Sequence, residues 1–147
     1  MFARTRLLIA TLWVGSGWTI GYLVAPTLFA TLPDSMQAGG IAGSLFRVEA
    51  WLTVACALAL LVLLAAARRN GEGVRTQVTL VAAMLACTLV GYFGLQPFMA
   101  VLREAAAAAG GMSGDIKTRF GLLHGVASLL HLAQSLLGVA LILQVRK

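Results

Sequence analysis

Charge is what this sequence has least of: 11% of its 147 residues are Asp, Glu, Lys or Arg, where a soluble globular domain carries roughly 25%. So few charges cannot coat a water-soluble globule. Cysteine is nearly absent as well. Cys56 and Cys87 are the two in the chain, each inside an apolar run, which excludes a disulfide framework and leaves them as small hydrophobes. No GxSxG, P-loop or HExxH motif occurs, so nothing pairs a nucleophile with a base and the expected class is not an enzyme. CxxC, HxxxH and methionine-rich metal motifs are missing too, and no internal repeat of about 20 to 50 residues is visible.

What the chain has instead is apolar length. Four runs, at about 7–28, 46–67, 78–98 and 120–145, each reach the ~20 residues needed to cross a hydrocarbon core about 30 Å thick. Only helix satisfies their backbone in lipid, because the alternating pattern of a membrane barrel is absent. The predicted fold is therefore all-α: one polytopic domain, a four-transmembrane-helix bundle spanning 1–147. A signal peptide is the rival for the first run, but that run exceeds the ~7 to 15 apolar residues of a signal core and is expected to be retained.

Orientation follows from the cations. Arg4, Arg6, Arg68, Arg69, Arg75, Arg146 and Lys147 share one side against Glu72 alone, whereas the other side mixes Arg47, Arg103, Lys117 and Arg119 with Asp34, Glu49, Glu104 and Asp115. The positive-inside rule then puts both termini in the cytoplasm, in what is expected to be a bacterial inner membrane. The net charge of +6 is accounted for by topology and lipid head groups, so the expected surroundings are a bilayer, with no nucleic acid. Between the runs, RRNGEGVR makes a short turn, the Thr31-to-Ser44 stretch with its three glycines reads as a re-entrant or interfacial turn, and the third helix overruns until Gly110-Gly111 stops it. Asp115 is the expected N-cap of the last helix.

Polar side chains inside the runs carry the functional expectation. His124, Ser128, His131 and Ser135 are spaced 0, 4, 7 and 11, one stripe of a helix that is expected to face the other three. His124, the leading candidate, Ser128 and His131 outline with Tyr22, Arg47, Glu49, Tyr92 and Gln96 a polar pocket opening outward, with Arg47, Arg103 and Arg119 supplying positive charge at its mouth, the bland alternative being interhelical hydrogen bonds worth about 1 kcal/mol each. Cys56, Cys87 and His131 share a midplane depth and form a minor metal hypothesis for a soft ion. His124 and His131 stand about 10.5 Å apart along one helix, so they cannot be two axial ligands of one haem. Gly17-Trp-Thr-Ile-Gly21 and Gly121-Leu-Leu-His-Gly125 are small-xxx-small patterns suited to close helix approach, within the chain or in a homo-oligomer.

The blocks LWVGSGWTIGYLVAPTLFATLPDSMQAGGIAGSLFRV, QPFMAVLRE and RFGLLHGVASLLHL resemble the transmembrane protein 205-like family, catalogued as domain of unknown function 4149. The resemblance implies four membrane helices and singles out Trp13, Gly15, Ala25, Pro26, Phe29, Gly43, Phe46, Pro97, Arg103, Phe120 and His124. It leaves the activity open. The leading expectation is a small membrane protein that binds or moves a small solute or metal-linked species through the polar pocket. The alternatives are a non-transporting scaffold or assembly factor with a membrane-protein partner, and a metal- or haem-binding redox protein.

Overall fold

The computed structural model describes residues 2–145; the orientation cations Arg146 and Lys147 lie outside them. The described residues are helical with no strands: α1 (Phe2–Trp18), a π-helical segment π1 (Thr19–Val24), α2 (Ala25–Thr31), α3 (Ser35–Arg69), α4 (Arg75–Thr88), π2 (Leu89–Leu95), α5 (Gln96–Ala108) and α6 (Gly114–Val145). They join into four rods long and apolar enough to cross a membrane, Ala3–Thr31, Ser35–Arg69, Arg75–Ala108 and Gly114–Val145. α1 packs on α3 and α6, and α4 packs on the same two. The start of α1, the end of α6 and the 70–74 turn therefore share one end of the molecule, the terminal end, and the two other turns share the opposite loop end.

The second rod differs most from the sequence expectation, which began it at Phe46. It starts at Ser35, because Asp34 caps it by accepting from the Met36 amide at 2.8 Å. Glycine in a helix costs about 1 kcal/mol relative to alanine, and this segment contains Gly39, Gly40 and Gly43. Packing offsets the cost: Ala38 and Ala42 are buried, the Phe29 ring lies over Gly39 and the Arg103 guanidinium over Gly43. The last rod also starts two residues early, at Gly114, so Asp115 lies in its first turn and pairs with Arg119 at 2.8 Å instead of capping it. The third rod does overrun and stop, with Gly110 and Gly111 at φ 77° and 149°, a conformation open to glycine but strained for other residues.

The π segments have a common cause. Pro26 and Pro97 have no amide hydrogen, and their rings press on the carbonyl four residues back, so the preceding turn widens. At π1 the Ala25 amide bonds the Ile20 carbonyl, five residues back. Each segment contains Gly-Tyr, Gly21-Tyr22 and Gly91-Tyr92. The first and third rods run in the same direction, so they carry this device in parallel.

Packing is uneven along the rods. The core cluster joins Ala10, Trp13 and Val14 with Cys56, Leu60, Leu64, Val81, Met84, Leu141 and Val145, all toward the terminal end. Gly138 lets α6 approach there, since a Cβ on it would stand 2.8 Å from Val14 Cγ2. Arg6 closes that end by donating to Glu72 at 2.7 Å, and Gln77 donates to the Gln144 carbonyl at 3.2 Å. Toward the loop end α6 is looser: its fully buried residues are Gly138, Leu141 and Val145.

Candidate functional site

Where the dense core gives way to the looser half, polar side chains from all four rods meet. Trp13 Nε1 donates to Thr53 Oγ1 at 2.8 Å, and one turn further Ser16 Oγ lies 2.9 Å from the Trp13 carbonyl and 3.1 Å from Glu49 Oε1. Glu49 is 7% exposed, and its second oxygen, Oε2, is buried with no partner. Gly17 supplies its seat, because a Cβ there would sit 3.4 Å from Glu49 Oε1.

One turn on, His131 of α6 leans against Gly21. Its ring stands so close that a Cβ on Gly21 would collide with Nε2. The imidazole is flanked by Tyr22 at 5.2 Å and edge-on by Phe46 at 6.0 Å between ring centroids. Its Nε2 is buried without a partner. Tyr22 donates to Ser135 Oγ at 2.9 Å, and Ser135 donates to the His131 carbonyl at 2.9 Å. Thr88 of α4 donates to Gln134 Oε1 at 3.1 Å. Gly17, His131, Gln134 and Ser135, with Trp13, Val14, Trp18 and Met84, line a cavity of about 10 Å³, the volume that holds one water.

Ser16 has chemical meaning because a hydroxyl carries one proton. The helical ladder of α1 already serves the Trp13 carbonyl, so Ser16 can give its proton to an ionised Glu49 at Oε1, which leaves Oε2 as the unmet acceptor. With a proton on Glu49, the carboxyl donates to Ser16 Oγ while Ser16 donates to Trp13, and both contacts are met. A cation at Oε2 balances the charge instead. A bare carboxylate with neither would cost several kcal/mol in such surroundings.

The expected stripe on the last helix divides. His131 and Ser135 are half-buried at the site, whereas His124 and Ser128 are exposed; His124 stacks on Phe120 at 6.0 Å, and Ser128 returns its hydroxyl to the His124 carbonyl. The stripe is continuous in azimuth, but its neighbours are missing toward the loop end. Arg47 is exposed, as is Arg119 in its pair with Asp115. Tyr92 packs edge-on against Phe93, apart from the His131 cluster, while Gln96 and Arg103 gather at Gly43. Gly15, Gly121 and Gly125 face open space.

The Cys56, Cys87 and His131 metal site does not form. Cys56 belongs to the apolar core, Cys87 is half-buried without joining it, and no group of three His, Cys, Asp or Glu side chains suited to a metal exists among the described residues. Two features escaped the sequence reading: Gln134, and the role of Gly17 and Gly21 as seats for side chains rather than helix-to-helix contacts.

Four apolar rods around buried polar groups define the class, an all-helical protein of the integral membrane type. The chain belongs to the family described as Domain of unknown function (DUF4149), whose model matches residues 8–108. The matched part contains Ser16, Gly17, Gly21, Glu49, Gln96 and Arg103 and ends before His131. No curated protein and no solved structure matches the chain.

Proposed function

We propose that the protein is a four-helix bundle of the transmembrane protein 205-like kind, in a bacterial inner membrane with both termini cytoplasmic, that binds a proton or small cation at Glu49 in the course of moving a small solute. The observation that carries this reading is Glu49 itself: a buried carboxyl in a membrane rod, one oxygen shared with a single-proton hydroxyl and the other unpartnered. Ionisable groups in such positions mark ion and proton paths. The half-open cavity of about 10 Å³ beside Gly17 and His131 has room for one water. His131 Nε2, unpartnered across the Gly17–Gly21 face, is a second station for a proton.

The test uses purified protein in vesicles with an internal pH dye, alongside infrared spectroscopy in detergent. Wild type is expected to move protons and to show a carboxylic-acid carbonyl band, and Glu49→Gln to lose both while keeping its helical content. Equal proton movement and an unchanged band in Glu49→Gln would remove Glu49 from the path.

A second reading, the scaffold, draws on the open side of α6, where Gly121 and Gly125 have nothing within 4 Å and small-xxx-small faces suit a partner helix. Cysteine crosslinking at Gly125 in a variant lacking Cys56 and Cys87 separates a second copy from another protein.

A further inference from the structure

A second polar group lies nearer the loop end, between the second and third rods. Arg103 of α5 lays its guanidinium over Gly43 of α3, with NH1 3.2 Å and NH2 3.9 Å from where a Cβ would stand; Gln96 Nε2 is 3.7 Å from the same point. Gln96 and Arg103 are two turns apart on one face of α5, with buried Met99 between them. Arg103 is half-buried, and neither of the two ion pairs among the described residues includes it. The chain offers it little: Asp34 caps α3, Asp115 holds Arg119, Glu104 is exposed, and Glu49 lies about 9 Å along α3 from Gly43. Gln96 Nε2 is a second donor beside the guanidinium, whereas its buried, unpartnered Oε1 is an acceptor and cannot serve an anion.

A guanidinium half sunk between helices without a counter-charge is free to take an anion from outside. Its planar fork matches two oxygens of one phosphate, a geometry lysine lacks. The geometry points to a phosphate-binding subsite formed by Arg103 and Gln96 over Gly43. Gly43 is the residue that leaves room, since a methyl there presses on the guanidinium. The two sources of this chemistry are a phospholipid head group and a free phosphate. The subsite is independent of the Glu49 reading, with which it shares no residue.

Thermal unfolding in neutral detergent tests it, with phosphatidylglycerol, phosphatidylcholine or inorganic phosphate added. Phosphatidylglycerol is expected to raise the unfolding temperature of wild type, with apparent affinity about tenfold or more weaker in Arg103→Gln, as fits the loss of a charge-assisted bond. Arg103→Lys, which keeps the charge if the Gln variant folds poorly, should fall between them, and exposed Arg119→Gln should match wild type. A shift with inorganic phosphate as well assigns the site to free anions; a shift with phosphatidylglycerol alone assigns it to a head group. Equal shifts in wild type and both Arg103 variants, equal shifts with phosphatidylcholine, or no shift with any addition would overturn it.

Discussion

Single residues decide whether the polar site can exist. Gly21 is the clearest case, because the His131 ring occupies the space a methyl would take. Gly21→Ala is expected to cost about 1–3 kcal/mol, the usual range for overpacking, read as a lower unfolding temperature in detergent. Gly15→Ala, facing open space, should stay within about 0.5 kcal/mol. Adding His131→Ala to Gly21→Ala should recover most of the loss; if it does not, the two residues do not share that space. At the terminal end Gly138→Ala should destabilise similarly through Val14, whose branched side chain cannot swing aside, and Val14→Ala should relieve it. The sequence exposed the polar residues but not these pairings. Gly17 and Gly21 have the spacing of a helix-contact motif, and spacing cannot tell a neighbouring backbone from an imidazole or a carboxylate.

Helices were legible to the degree that membrane crossing dictates them. Apolar length fixes four rods and their order, and the Gly110-Gly111 stop reads directly from composition. The start at Ser35 does not, because Gly39, Gly40 and Gly43 look like breakers until Phe29 and Arg103 are seen packed on them. The spacing of His124, Ser128, His131 and Ser135 gives their shared azimuth, yet which of them meets a neighbour depends on how closely the other rods accompany α6. The π segments follow from Pro26 and Pro97, whose placement is plain in sequence though the widening is not. Pro97→Ala restores an amide donor and is expected to narrow π2 toward ordinary helix, slowing hydrogen exchange across 89–95 in mass spectrometry. Unchanged exchange there would mean that Gly91 and Gly94, rather than the proline, hold the segment open.

For the molecule as a whole, orientation is the property that gives the polar groups a direction. A lone cysteine placed at Ser113, in a background without Cys56 and Cys87, should react in intact cells with a reagent that cannot cross the membrane, and one at Glu72 only after the cells are opened. The reverse pattern would put the termini outside. The two π segments add something to this picture. Each accommodates roughly one extra residue in its rod, and one residue turns a helix by about 100°. Everything beyond them is thus set to a different angular phase from everything before them, in two rods at once. The uninterrupted α3 holds both Glu49 and Gly43 in one phase, so it is the third rod, past π2, that turns Gln96 and Arg103 to meet it.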